Sequence, residues 1–387
     1  MRKLYLDLKF TSVVPEAYRM PAADLSSASG VNLGNFAFRH ALRFLVDGLD
    51  GYETVRWPEF NQIASNEKVD QVVVSCANWL GLTPNDEAAN LNRANAIAKV
   101  DCSVVSFGLG VQAKIQATLP KLGPNTLRLA KELAERCNKL SVRDTLTQET
   151  LAAEGILNTV VTGCPSNFIN SDPDLGARVA ERARTQAARA KSWADVRSCI
   201  SEASGGHSHS GAVIKHQLEL MEASPAFYLI QSPALLAFVL GDRAAIPNEY
   251  KANNPWKDQS GRLTSVLKSK VLHFSHMDGW MDFARTCDLS FGMRIHGTMV
   301  PLQSGVPSAL IAHDSRTIGL AERMGIPWVS PEEYIDITTE GPAPLLTKIA
   351  ERMSAYDAGR RKLAALMHSY ILQNGLTPHA SLMRLVN

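Results

Sequence analysis

The sequence has 387 residues, of which 45% are hydrophobic and 20% are charged, and its formal net charge at pH 7 is +2. This composition is typical of a soluble globular protein long enough for two domains, and the small net charge argues against a nucleic-acid partner. No apolar run approaches the roughly 20 residues of a membrane span. The six cysteines show no C-x-x-C spacing, so we expect neither a metal site nor disulfides, but reduced thiols in a cytoplasmic protein.

The first half of the chain alternates strands with helices, which predicts a doubly wound parallel sheet. Leu4, Leu6 and Leu8 alternate with polar residues and predict a first strand. Further strands are predicted at residues 52–57, 71–75, 103–107, 140–142 and 160–162, and helices at 35–46, with Asn35 as N-cap, and at 125–140.

Two turns of this half carry glycines that suit a ligand. Gly34 would let the backbone approach a ligand, and Asn35 would direct polar atoms towards it. Gly108 and Gly110 follow a strand and could present N–H groups to an anion, with Lys114 a helical turn further on. Neither turn is specific evidence for a ligand site, because the G-x-G-x-x-G motif is absent and ordinary turns contain the same residues.

The second half is predicted to contain a helix at 177–203, a strand at 227–231 that opens a second sheet, and a strand at 270–274. Residues 288–327 then read as strand, turn, helix, strand, turn and helix, with strands at 288–293 and 306–312 and helices at 297–304 and 315–324. The polar residues of the two turns and the adjoining helix are Arg294, His296, Gly297, Thr298, His313, Asp314 and Arg316. Open α/β sheets bind ligands at this edge, outside the carboxyl ends of the strands.

Arg294 and His296 are the strongest candidates for chemistry. A guanidinium fork suits a carboxylate or a phosphate, and an imidazole can donate or accept a proton near neutral pH. Arg143 ends a predicted strand of the first half in the same way. Together these groups suit an anionic substrate that needs proton transfer, although a lone Arg-x-His is more often structural.

The order of four motifs resembles the polysaccharide pyruvyl transferase family. Arg-Ile-His-Gly at 294–297, followed by Gly-Val-Pro at 305–307 and His-Asp-Ser-Arg at 313–316, resembles that family's C-terminal signature. Ser-Val-Arg-Asp at 141–144 resembles its central segment, Ser-Phe-Gly-Leu-Gly at 106–110 its glycine loop, and Asn-Leu-Gly-Asn at 32–35, in part, its Asn-x-Gly-Asp element.

The resemblance implies two Rossmann-like doubly wound domains facing a cleft, an α/β fold similar to the GT-B glycosyltransferases. We expect the domains at 1–172 and 173–340, with helices at 341–387 packing back on the first. It also implies transfer of a pyruvyl group from phosphoenolpyruvate to a sugar, without a cofactor or metal. Arg143, Arg294 and His296 would be catalytic, with His296 as general acid.

The acceptor would be a sugar of a polysaccharide or of a precursor such as a lipid-linked oligosaccharide. In the lipid-linked case the protein would work at the inner face of the membrane, where Arg352, Arg360, Arg361 and Lys362 could contact headgroups unless they form a solvated face.

Several residues depart from the family pattern. Asn35 replaces an acid, Cys76 to Trp79 replace a glycine-rich segment, Cys164 stands where an Asp is often seen, and Arg316 replaces a Lys. Two other functions therefore stay open: a GT-B glycosyltransferase that uses a nucleotide sugar, and a non-catalytic sugar-binding relative.

Overall fold

The computed structural model describes residues 2–7, 12–112, 118–205, 209–242, 244–257 and 259–386, without the side chains of 315 and 316. Its strands are β1 (Lys3–Leu6), β2 (Glu53–Val55), β3 (Gln71–Ser75), β4 (Ser103–Phe107), β5 (Leu140–Val142), β6 (Thr159–Val161), β7 (Ser198–Ser201), β8 (Phe227–Leu229), β9 (Val271–Leu272), β10 (Leu289–Gly292), β11 (Ser308–Ile311) and β12 (Trp328–Val329). Its helices are α1 (Ala22–Ala28), α2 (Asn35–Leu42), α3 (Trp57–Asn66), α4 (Pro84–Ile97), α5 (Pro124–Glu135), α6 (Thr145–Ala153), α7 (Leu175–Arg189), α8 (Ser210–Ala223), α9 (Pro233–Leu240), α10 (Asn248–Ala252), α11 (Ser260–Lys270), α12 (Met277–Arg285), α13 (Ile295–Gln303), α14 (Ser315–Met324), α15 (Pro331–Thr339), α16 (Ala343–Met353), α17 (Tyr356–Gln373) and α18 (Ala380–Val386).

The first half forms a parallel sheet in the order β2-β1-β3-β4. A parallel bridge between Leu109 and Val142 carries this sheet on to β5, which pairs with β6. Helices cover both faces, which is why strands such as β3 and β4 are apolar runs instead of alternating patterns. The predicted strands at 71–75, 103–107 and 140–142 are confirmed to the residue.

The second half forms a six-stranded parallel sheet in the order β12-β11-β10-β7-β8-β9. The prediction of one helix through residues 177–203 is wrong, because α7 ends at Arg189 and β7 follows at the centre of the sheet. Consequently β7, not the strand predicted at 227–231, opens this sheet. All four residues of β7 are buried, so the strand lacks the alternation that marks a half-exposed one.

The carboxyl ends of the two sets of strands meet across the molecule. The Leu33 N–H, ahead of α2, donates to the carbonyl of Gln231, after β8, at 2.8 Å. Cys164, after β6, contacts His296, in α13 after β10. The predicted fold class, two Rossmann-like α/β units that face a cleft, is confirmed by this topology.

The C-terminal helices contact both halves. α16 packs along α7, and α17 contacts α7, α14 and β6. The Tyr370 hydroxyl donates to the carbonyl of Ser106 in β4, and the Asn374 carboxamide oxygen accepts the Asn138 N–H at 2.9 Å. None of the described helices is long and apolar enough to span a membrane.

Arg360 in α17 is not available to a membrane surface, contrary to the lipid-contact hypothesis. The residue is 1% exposed, and its guanidinium donates to the carbonyls of Asn167 at 2.9 Å, Asp172 at 2.8 Å and Asn170. Burial lowers its pKa from the usual value. Arg360 therefore fixes the chain after β6, whereas Arg352 and Arg361 are exposed.

Candidate active site

Arg143 is buried at the carboxyl end of β5 and keeps unused donors. Its Nη1 donates to Asn78 Oδ1 at 2.7 Å, and its guanidinium carbon lies 5.7 Å from the Phe38 ring centroid. Nε and Nη2 are also buried, and no described residue accepts a hydrogen bond from either. Leaving a buried donor unpaired costs about 1–3 kcal/mol, and more for a charged group. An anionic ligand that accepted hydrogen bonds from Nε and Nη2 would remove this cost.

The glycine loop after β4 makes room for Arg143 and does not present amides to a ligand. The N–H of Gly108 donates to Ser141 Oγ at 3.1 Å, and that of Gly110 to the carbonyl of Ala77 at 3.1 Å. The prediction that these amides face an anion is therefore wrong. A Cβ at Gly110 would lie 3.0 Å from Arg143 Cδ, and Gly108 has a φ of +71°, so the loop needs glycine for space and conformation.

Arg294 occupies the position before α13 and faces a buried carboxylate. Its Nη2 lies 3.8 Å from Glu202 Oε2, and its side chain is 25% exposed. Its Nε is buried without a hydrogen-bond acceptor among the described residues. Arg294 thus contributes, from the second half, the same kind of unused donor as Arg143 does from the first.

Glu202 follows β7 and holds the start of α9 as well as Arg294. Its Oε2 accepts the N–H groups of Gln231 and Ser232, both at 2.9 Å, and Oε1 accepts the Ser232 hydroxyl. Burial, and after it the charge of Glu202, raises the pKa of nearby Glu249. Because Glu202 is 1% exposed, its charge remains largely unscreened and orients the Arg294 guanidinium.

His296 lies at the junction of the two halves. The residue is 5% exposed, its Nε2 lies 3.6 Å from Cys164 Sγ, and its ring centroid lies 5.6 Å from that of Phe38. Arg143 and His296 therefore lie against the same Phe38 ring, so this aromatic side chain links a cation of the first half to the imidazole of the second.

Gly34 and Asn35 do not have the roles that the sequence suggested. Gly34, not Asn35, holds the N-cap position of α2, and the Asn35 amide donates to the carbonyls of Ser29 at 3.1 Å and Gly30 at 3.3 Å. A ligand was predicted to approach the backbone at Gly34, but Gln231 occupies that space: its Oε1 would lie 2.1 Å from an added Cβ.

Gly297 and Thr298 support the second half of the site. A Cβ at Gly297 would lie 2.3 Å from Ser201 Cβ and 2.7 Å from Gln231 Nε2, so α13 can approach β7 only with glycine here. Thr298 is fully buried, and its hydroxyl donates to the carbonyl of Arg294 at 3.4 Å. Both residues shape the turn that carries Arg294.

The turn between β11 and α14 is stabilised mainly by the N-cap of α14. Asp314 is the N-cap of α14, where its Oδ1 accepts the Thr317 N–H at 2.7 Å, and its Oδ2 lies 3.8 Å from His313 Nε2. Lys114 and the side chain of Arg316 fall outside the described part of the structure, so their predicted roles stay predictions.

The structure adds site residues that the sequence reading missed. Glu202, Gln231, Asn78 and Phe38 were overlooked, and so was Arg39, whose Nε lies 2.7 Å from Asp7 Oδ1 and whose guanidinium carbon lies 5.3 Å from the Phe38 ring. Glu202 directly follows β7 and Gln231 lies two residues after the end of β8, so a search for polar residues at strand ends could have found both. In the described residues, no group of three or more His, Cys, Asp and Glu could hold a metal ion.

The model of the polysaccharide pyruvyl transferase family matches residues 2–315. No protein with a curated function matches the sequence.

Similar solved structures include Anabaena HepE in complex with UDP and glucose, with 12% identity, a TM-score of 0.46 and coverage of 95% of this chain and 100% of that chain. S. aureus MnaA with UDP has 12% identity, a TM-score of 0.47 and coverage of 98% and 99%. The UDP-GlcNAc 2-epimerase from Neisseria meningitidis bound to UDP-GlcNAc has 12% identity, a TM-score of 0.41 and coverage of 95% and 100%.

Proposed function

Because the chain belongs to the polysaccharide pyruvyl transferase family, we propose that it transfers the pyruvyl group of phosphoenolpyruvate to two hydroxyl groups of a sugar, forming a cyclic ketal. The acceptor is a sugar of a polysaccharide or of its precursor, lipid-linked oligosaccharides included. One observation carries the proposal: Arg143 Nε and Nη2 and Arg294 Nε are buried without acceptors in the described structure, Arg143 lies against the same Phe38 ring as His296, and Arg294 stands two residues before His296.

The charges of this donor substrate match the site. Phosphoenolpyruvate carries a carboxylate and a phosphate, and each can accept paired hydrogen bonds from a guanidinium. Arg143 has two unused buried nitrogens and Arg294 has one. In this scheme one arginine binds each anionic group, and their positive charge also stabilises the phosphate as it leaves.

His296 acts as the general acid in the proposed reaction. It donates a proton to the methylene carbon of phosphoenolpyruvate, which becomes a methyl group and leaves an oxocarbenium-like centre on the adjacent carbon. The first sugar hydroxyl attacks that centre and its proton returns to the imidazole. The second hydroxyl then replaces the phosphate, which leaves with that hydroxyl's proton, and the ketal closes.

The experiment is an assay of inorganic phosphate release from phosphoenolpyruvate with a panel of free and lipid-linked sugar acceptors, with mass detection of the product. His296→Ala should lower turnover by about 100-fold or more and keep the thermal shift caused by the donor. His368→Ala, on partly exposed α17, is the matched control and should be fully active. Undiminished activity of His296→Ala, or release of a nucleoside diphosphate from a nucleotide sugar instead, would refute the proposal.

A further inference from the structure

Two tryptophans stand at the carboxyl edge of the first sheet, outside the group of residues assigned to the donor. Trp57 begins α3 directly after β2, and Trp79 lies in the loop after β3. Both side chains are partly exposed, although tryptophan carries a large apolar surface that a protein usually covers. They therefore lie on the edge where α/β sheets bind ligands.

The two tryptophan rings contact each other, and one guanidinium lies over both. The ring centroids of Trp57 and Trp79 are 5.5 Å apart with an interplanar angle of 56°. The guanidinium carbon of Arg93, in α4, lies 4.7 Å from the Trp79 ring and 6.0 Å from the Trp57 ring. No carboxylate of the described residues forms an ion pair with Arg93, whose Nη1 donates to Asn90 Oδ1 at 2.7 Å.

This surface is joined directly to the proposed donor site. Asn78, the residue before Trp79, accepts the hydrogen bond from Arg143 Nη1 at 2.7 Å. The loop is also held from the other side, because the Leu80 N–H donates to the carbonyl of Gly110 at 3.2 Å. Trp79 is thus adjacent in the chain to the residue that orients Arg143.

We propose that Trp57, Trp79 and Arg93 form a subsite that binds a pyranose ring of the saccharide acceptor. A pyranose has an apolar face of C–H groups, which packs on an aromatic plane, and an edge of hydroxyl groups, which accept hydrogen bonds from a guanidinium. The subsite joins the loop that carries Trp79 to the start of α3 at Trp57. It rests on the proposed function, because it assigns the acceptor of that reaction.

The first test is binding, which needs no turnover. Saturation-transfer NMR with methyl β-D-glucopyranoside and methyl β-D-galactopyranoside should show transfer from the wild-type protein to the ring C–H protons. Trp79→Ala and Trp57→Ala should each lose most of this signal, and Trp79→Phe should keep part of it. Trp256→Ala is the matched control, because Arg262 lies 5.1 Å from the Trp256 ring in the second half of the chain.

The second test is kinetic. Trp79→Ala should raise the KM of the active acceptor by roughly tenfold and leave the KM of phosphoenolpyruvate unchanged, since removing a stacking surface weakens only the sugar. Unfolding midpoints identify any variant that fails to fold. If Trp79→Ala does not fold, the acceptor KM of Trp79→Phe is measured instead. Unchanged sugar binding and unchanged acceptor KM in both tryptophan variants would overturn the subsite. A wild type without phosphate release would instead refute the proposed reaction, whereas loss of the NMR signal in Trp79→Ala would still support the subsite.

Discussion

Adding one methyl group at Gly34 should destabilise the contact between the two halves. The new Cβ would lie 2.1 Å from Gln231 Oε1 and 3.1 Å from its Cδ, so the carboxamide of Gln231 must move. Gln231 is 2% exposed, and Glu202 and Leu33 hold its backbone through hydrogen bonds of 2.9 and 2.8 Å. Forced overpacking of this kind costs about 1–3 kcal/mol of unfolding free energy.

A double-mutant cycle isolates this contact. Gln231→Ala removes the obstructing atoms, so the Gly34→Ala/Gln231→Ala protein should be roughly 1–2 kcal/mol more stable than the sum of the single effects predicts. Denaturant unfolding with a common m-value supplies the free energies. The control is Gly51→Ala, where an added Cβ meets no atom within 4 Å and the backbone is not left-handed. This variant has the same change in unfolded-chain entropy.

Two results would refute the reasoning. If Gly34→Ala is as stable as Gly51→Ala, Gln231 does not fill the space beside Gly34. If the effects of Gly34→Ala and Gln231→Ala are additive, the two residues do not contact each other. Either result would remove the evidence that this glycine brings the two halves together.

Three further predictions follow from buried polar groups. Asn78→Ala removes the acceptor for Arg143 Nη1 and should raise the KM of phosphoenolpyruvate by roughly three- to tenfold, whereas an unchanged value would show that Asn78 does not orient Arg143. Burial lowers the pKa of His40 to about 4, below the value of about 6.5 in an unfolded chain, so the unfolded state binds the extra proton and stability falls as the pH drops from about 6.5 towards 4. In His40→Gln, the slope of the unfolding free energy against pH should be smaller than in the wild type by up to about 1.4 kcal/mol per pH unit, as measured by denaturant unfolding at pH 4.5–7.5. If the two proteins have parallel plots of unfolding free energy against pH, the lowered pKa of His40 is contradicted. Arg360→Met should cost about 3–5 kcal/mol of unfolding free energy, because it removes the buried donor of three carbonyls, one of them on buried Asn167. Arg361→Met, on the exposed side of the helix, should change stability by less than about 0.5 kcal/mol.

The sequence predicted most accurately those strands in which every residue is buried among apolar neighbours. The strands at 71–75 and 103–107 are apolar runs covered on both faces, so composition alone located them. β7 was missed because it is short, contains two serines and follows an alanine-rich helix, so only its pairing with β8 and β10 identifies it.

The prediction of site residues from the sequence has a similar limit. Arg143, Arg294 and His296 became candidates because each follows a predicted strand and carries a charge or a titratable ring. The roles of Gly108, Gly110 and Asn35 were predicted wrongly, because the partners of their backbone and side-chain donors come from Ser141, Ala77 and other neighbours that pattern reading does not locate. Gln231 was overlooked because its importance depends entirely on contacts with Gly34 and Gly297.

The return of α17 to the first sheet has a consequence for biosynthesis. The carbonyl of Ser106 and the N–H of Asn138 find their partners at Tyr370 and Asn374, more than 230 positions later in the chain. A ribosome must therefore translate more than 230 further codons after Asn138 before the first Rossmann-like unit acquires its last covering helix. Until then the nascent chain exposes the surface that Tyr370 covers, and transiently exposed surface of this kind favours aggregation.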